Sequence, residues 1–403
     1  MDKTTSPFER IELSRTRLVL QGFVAVLMLI PVTLPVPVLR ELVHERFQVS
    51  ELLTSLFMSI NMVGAVLAAP LMGALADRMG QRKRITLIAL LLDALCFFTM
   101  ALPVPFFAFM SIRFLEGAAH ITALSMLLSL ASTSVRDAHR GRAMGLVGAG
   151  LLLGVAIGAP IGGIVGSGQP DRTLWLGGLI ALLAAGLSVV VLRDSDSVDR
   201  ERWLASSLFA AIREQGRLLI PLLFAFADRF TVGFYTTTFS LYVSRIHGAD
   251  PPRIGLLISA FMIPFALLSY PFGLLSEKTS RVALLGIGSV LYGIGTATLV
   301  LWPASILPFV MAAIGVSAAV MFVPTMLLVT EYSSPALRST ALAAFNAAGS
   351  LGFIVGPLVG GWISQSIGSD GDWLAGYGTA FAVAGGSELL LVAVALPLLY
   401  RMR

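Results

Sequence analysis

Long apolar runs, broken by short segments that hold most of the charge, dominate this chain. A helix needs about 20 apolar residues to cross the hydrocarbon core of a bilayer. Runs of that kind predict spans near 18–39, 51–75, 85–102, 105–131, 143–166 and 173–193. A second set follows near 218–243, 252–275, 282–302, 305–331, 341–363 and 376–400. Charged residues gather between the runs instead of lying along one face of each helix, as they do on soluble helices. The expected fold is therefore all-α and integral to a membrane, with twelve transmembrane helices in two pseudo-symmetric six-helix bundles. The bundles are placed at 1–193 and 218–403, joined by a cytoplasmic segment at 194–217.

Composition agrees. Charged residues make up 13% of the 403 positions, about half the roughly one quarter of a soluble domain. Mean hydropathy is +0.86. The net charge of +5 raises the question of nucleic acid, which topology answers. With the N-terminus placed in the cytoplasm, 21 of the 28 Lys and Arg residues fall in cytoplasmic segments and 5 on the other side, while Arg113 and Arg229 lie within spans. Loops rich in Lys and Arg stay in the cytoplasm, so both termini are expected there, in the inner or plasma membrane of the cell. The first run is longer than the apolar core of a signal peptide and no small-residue cleavage site follows it, so it reads as the first span.

Several chemistries are not expected. Cys96 is the only cysteine, which rules out an intramolecular disulfide or a cysteine metal site. His44, His120, His139 and His247 are too scattered along the chain to suggest a metal. No phosphate-cradling loop and no convincing nucleophile–base set appears, so no enzyme and no cofactor is expected, and ATP is not expected to power the chain directly. In the joining segment, Trp203, Leu204, Leu208, Phe209 and Ile212 have helical spacing beside Arg202, Arg213 and Glu214. That pattern suits an amphipathic helix lying on the inner membrane surface; a plain linker is the alternative.

The two halves repeat each other. An offset of 198 residues aligns Arg140 with Arg338, Gly154 with Gly352, Gly158 with Gly356, Gly162 with Gly360 and Gly163 with Gly361. An offset of 200 aligns Gly73 with Gly273 and Asp77 with Glu277. Parallel six-helix repeats suit a transporter whose site lies between two rocking halves. The segment from Gly73 through Asp77, Arg78 and Gly80 to Arg82, Lys83 and Arg84 resembles the signature loop between the second and third helices of the major facilitator superfamily. Gln81 replaces its first basic residue. Topology alone explains the basic residues but not the spacing of Gly73, Asp77 and Gly80. The resemblance implies a latch in which Asp77 meets the start of the eleventh helix, near Ser339–Leu342, and stabilises the outward-open state.

The fifth predicted span carries Gly145, Gly154, Gly158, Pro160, Gly162 and Gly163, and the eleventh carries Gly352, Gly356, Pro357, Gly360 and Gly361. This resembles the antiporter signature of the superfamily's 12-helix drug–proton exchangers, with Ala159 standing where proline is usual. Glycines four residues apart make a smooth groove for a neighbouring helix. Contact between opposite halves through these grooves is expected to seal one end of a cavity, although generic small-residue packing would look similar. The resemblance implies proton-coupled export of a small amphipathic or hydrophobic compound by a monomer in the bilayer. Export of a defined metabolite such as a sugar, siderophore or lysolipid, and uptake by symport or uniport, remain alternatives.

Ionisable residues at mid-bilayer are costly unless paired or hydrated. Arg113, Glu116, Gly117 and His120 fall on one face of the fourth span. They resemble a superfamily element implicated in proton transfer, with Glu116 in place of the usual glutamine. Arg113, Glu116 and His120 are expected to couple protons, and Asp228 beside Arg229 in the seventh span is a further candidate. A static ion pair is the alternative. Phe230, Phe234 and Tyr235 are candidates for a cavity wall or for plain packing. Gln21, Asn61 and Asn346 lie on spans that, by the family resemblance, line the cavity; each is a candidate to hydrogen-bond a ligand, with hydrogen bonding between helices as the alternative. Asp93 and Glu388 are expected to point inward or carry a proton, because a carboxylate facing lipid is costly.

Overall fold

The computed structural model describes residues 15–133, 140–194, 216–333 and 338–401. The helix expected within 194–217 therefore lies outside the described residues, except for the ends of that segment. Helices stand at all twelve predicted positions. Spans 1 to 6 are Arg15–Thr33, Glu51–Met79, Arg82–Met100, Phe106–Thr133, Arg140–Gly166 and Asp171–Val191. Span 7 is Leu219–Thr236 followed by Thr238–His247. Spans 8 to 12 are Pro251–Lys278, Arg281–Ala297, Leu307–Glu331, Arg338–Gly368 and Trp373–Arg401. Ten of these are long and apolar enough to cross a membrane. Span 9 is a shorter apolar helix, and span 3 opens with Arg82, Lys83 and Arg84 and also carries Asp93.

Local sequence explains the irregular ends. Pro31, Pro35 and Pro37 lack the N–H that continues a helix. Span 1 accordingly leaves α geometry at Thr33 and passes through a 3-10 turn at Val36–Val38 and a π turn at Arg40–Glu45. Span 7 breaks at Thr237, where the Thr236 and Thr237 hydroxyls both donate to the Gly233 carbonyl at 3.0 and 2.9 Å. Span 2 ends at Gly80, in the left-handed region at φ 63°, which only glycine adopts without strain. Ser50 caps span 2 and Asp250 caps span 8, each accepting a backbone N–H three residues on.

Each half packs in the same way. Span 1 lies on 5 and 6, 2 on 4, and 3 on 4 and 6; likewise 7 lies on 11 and 12, 8 on 10, and 9 on 10 and 12. The halves meet through spans 2 and 11 and through spans 5 and 8. The sequence offsets reappear as geometry. A Cβ at Gly154 or Gly158 would meet the carbonyls of Val26 and Ile30; at Gly352 or Gly356 it would meet those of Phe226 and Phe230, each 200 positions on. Ser59 donates to the Ile354 carbonyl at 2.8 Å, and Ser259 to that of Ala156 at 2.9 Å. These two bonds are one contact used twice, related by the pseudo-twofold between the halves.

The glycine grooves correct one expectation. Gly154, Gly158 and Gly162 receive span 1, and Gly352, Gly356 and Gly360 receive span 7, so most of the signature packs within a half. The neighbours crossing between halves are at Gly163, against Pro251, and Gly361, against Ser55 and Glu51. Spans 1 and 7, which begin the two bundles, nest closely against 5 and 11. Gly158→Val and Gly356→Val should each destabilise the protein by roughly 1–3 kcal/mol, the usual range for overpacking. Gly145→Val, whose Cβ would meet nothing within 4 Å, should melt like the parent. Thermal melting in detergent reads all three.

Candidate functional site

Span 4 carries a buried charge cluster. Arg113 is 0% and Glu116 1% exposed, and Arg113 Nη1 donates to Glu116 Oε2 at 2.8 Å. The Asn61 amide of span 2 donates to the same oxygen. The guanidinium lies 4.3 Å from the centre of the Phe57 ring, and its Nε reaches the Phe57 carbonyl at 3.4 Å. Gly117 lets the backbone of Asn61 approach closely enough for this. Asn61 is thus a ligand of Glu116 and not a free cavity group.

His120, one turn beyond Glu116, has its Nδ1 3.6 Å from Asp93 Oδ2 on span 3. Donor atoms of Asp93, Glu116 and His120 all lie within 4.8 Å of one another. The expectation that histidines are too scattered for a metal site considered histidines alone. The fold places one histidine beside two carboxylates, Glu116 of its own helix and Asp93 of span 3. Span 3 makes this possible by turning Ile88, Leu91 and Leu95 outward and Asp93 inward.

In the second half, Arg229 Nε is 3.4 Å from Asp228 Oδ2, and its guanidinium sits 4.8 Å from the Phe322 ring and 5.7 Å from that of Phe353. Asp228 lines a small pocket with Phe224, Ser289, Phe322, Thr325 and Phe345. Phe230, Phe234 and Tyr235 are buried. Phe230 and Phe234 pack against the span 11 glycines, and Tyr235 stacks on Phe261 and shares a 2.6 Å hydrogen bond with Thr296. They form core, not a cavity wall. Gln21 is fully buried with both amide atoms unpartnered, and Asn346 is exposed on span 11. Glu388 points inward as expected.

A third group escaped sequence reading. At the end where span 2 begins, here called the distal end, Glu51 is fully buried. It accepts hydrogen bonds from Arg245 at 3.0 Å, Tyr377 at 2.5 Å and Ser364 at 3.2 Å, while its N–H donates to Gln365 at 3.1 Å. Arg245 lies 3.9 Å over the Trp373 ring. Nearby, Ser240 donates to the Val36 carbonyl at 2.7 Å and Arg40 to Ser244 at 3.4 Å. Each hydrogen bond joins the first half to the second, so the distal end is sealed. Glu51 opens the second predicted span and Arg245 follows the seventh, and nothing in the sequence singles out either; only the long-range pairing reveals the lock. At the opposite end, Gly73, Gly145 and Gly148 meet no atom within 4 Å.

The family profile described as Major Facilitator Superfamily matches residues 22–227 and 221–403. The chain belongs to the Major Facilitator Superfamily. Multidrug resistance protein 2 of Bacillus subtilis (strain 168) is 26% identical over 246 residues, covering 58% of this chain and 61% of that protein. The chromaffin granule amine transporter of Homo sapiens is 27% identical over 267 residues, covering 64% and 50%. The matches therefore span between half and about three-fifths of these relatives' lengths. Two solved structures share the fold. A bacterial homologue of the human lysosomal transporter Spinster has a TM-score of 0.78 at 14% identity, covering 94% of each chain. A nucleoside transporter, NupG, has a TM-score of 0.75 at 14% identity, covering 96% of this chain and 98% of the other.

Family membership makes the latch expectation specific, and the structure bears on part of it. Gly73 sits near the end of span 2, and a Cβ built there would meet no described atom within 4 Å. Arg78 is exposed and Gly80 turns the chain into span 3, which opens with Arg82. The side chains of Asp77 and Ser339 lie outside the described residues.

Proposed function

We propose that this transporter is a proton-driven antiporter that exports small amphipathic or hydrophobic compounds by alternating access. The buried Arg113–Glu116 pair with His120 and Asp93 carries this reading. Membrane interiors hold such groups chiefly on ion pathways, and an acid–base cluster sealed from lipid is equipped to take up and release a proton. The distal seal supports the cycle, because it makes the structure one of two required states, closed on one side. The asymmetry of Lys and Arg places both termini in the cytoplasm, so the sealed distal end faces the outside. The multidrug and amine-transporter relatives support a small-molecule cargo. No resident cofactor is needed, the unit is a monomer, and the membrane is that of the cell.

The test is reconstitution into liposomes carrying a pH dye, with a fluorescent lipophilic dye such as a bisbenzimide as first probe and a compound library after it. Substrate moving one way should drive protons the other way. Parallel movement of substrate and protons makes the protein a symporter, and transport with no proton movement removes the coupling.

A further inference from the structure

We infer that Asp93 and His120 complete, with Glu116 and Arg113, a single buried proton-binding site in which the His120 ring carries the proton and Asp93 holds it there. The inference rests on the proton-coupled reading above and assigns that coupling to specific atoms.

Two observations lead to it independently. Among the described residues, both ring nitrogens of His120 and the Oδ1 of Asp93 are buried without a hydrogen-bond partner; His120 is 8% and Asp93 1% exposed. Buried polar atoms are normally satisfied, so these three mark an incomplete arrangement. The second observation is charge. The groups of the cluster around the ring are Asp93 from span 3 and Arg113 and Glu116 from its own helix, with Cys96 of span 3 and Asn61 of span 2 beside those charges. With a neutral thiol and amide, one arginine and two carboxylates leave a net charge of −1. An imidazolium at His120 brings the total to zero. Net charge in an apolar interior is costly, so the cluster is suited to being closed off when it holds one proton and to facing water when it holds none.

The step balances simply. A proton from water forms an N–H bond on neutral His120, and the ring closes the 3.6 Å gap to Asp93 to a charge-assisted distance of about 2.8 Å. Release breaks that N–H bond to water on the opposite side, and the cluster returns to −1 and requires hydration. Electrostatics thereby link proton occupancy to which side is open. The same donors resemble a transition-metal set. Arg113 argues against that use, because its cation already occupies Glu116 Oε2.

The experiment uses the full chain in nanodiscs with His44, His139 and His247 replaced by Gln and the remaining histidine labelled with ¹⁵N. At pH 7 the expected spectrum is that of a doubly protonated ring. Asp93→Asn and Glu116→Gln each remove one negative charge, and each should convert it to a singly protonated ring; Asp93→Glu should restore the first spectrum. A singly protonated ring in the parent, or a spectrum unmoved by both neutral variants, overturns the proposal. Stoichiometric binding of Zn²⁺ or Mn²⁺ in the parent that is lost in Asp93→Asn also overturns it, in favour of a metal centre. The spectrum does not depend on transport, so it stands even if the liposome assay shows no proton movement.

Discussion

Under the antiport mechanism proposed above, Glu116→Gln should abolish proton-driven efflux while leaving the protein folded. The variant keeps an oxygen for Arg113 to bond, in place of the carboxylate now 2.8 Å away, and it keeps the volume that packs against Asn61. Breaking a buried ion pair by removing one partner ordinarily costs about 3–5 kcal/mol, because it strands the other charge. Here Arg113 is not stranded, since Asp93 remains as its counter-charge across His120. The cluster is then neutral without any bound proton, so nothing is left for the gradient to act upon. Proton movement driven by substrate in liposomes should fall to background, at least a hundredfold below the parent, with the melting temperature changed little. Proton-driven efflux at the parent's rate would exclude Glu116 from the mechanism. Arg113→Ala is expected to behave differently: it leaves two carboxylates against one histidine and should express poorly.

Glu51→Gln unlocks the distal end. Glu51 gathers Arg245, Tyr377 and Ser364 on one carboxylate, joining span 2 to spans 7, 11 and 12. Hydrogen bonds to a charged group contribute about 1.5–3 kcal/mol each. Part of that survives in the amide, and Arg245 retains Trp373. A net loss of about 2 kcal/mol would move the balance between the two states roughly thirtyfold, since 1.4 kcal/mol is a factor of ten. Spin labels at the exposed positions Arg172 and Asp370, one on each half, should show a longer distance in the variant than in the parent. An unchanged distance distribution in a monodisperse sample would mean that Glu51 is only structural. Efflux should also drop severalfold, because a transporter that cannot reseal outside spends its cycle in one state.

Much of the architecture was legible because its causes are local. A bilayer demands about 20 apolar residues per crossing, so the spans were visible; what hydropathy missed were the end of α geometry at Thr33, near the prolines, and the break inside span 7 at Thr237. Offsets of 198 and 200 along the chain foretold contacts that do recur between the halves. Arg113 and Glu116 were legible for a similar reason: three positions apart on an apolar helix, they face each other whatever surrounds them.

What the chain order could not give was which helix faces which. His120 and Asp93 are one turn and one helix away from that pair, and their meeting depends on the rotation of span 3. The glycine signatures foretold close packing but not its partner, and the fold directs most of them to spans 1 and 7 within a half. Glu51 and Arg245, nearly 200 residues apart, carry no pattern in sequence that links them; tertiary structure buried one and brought the other onto it. Sequence alone determined the number, length and repetition of the membrane helices, because those follow from hydropathy along a single strand of chain. The tertiary structure alone decided the closed side, the lock and the full membership of the charge cluster, because each is made by side chains whose separation in space bears no relation to their separation in sequence.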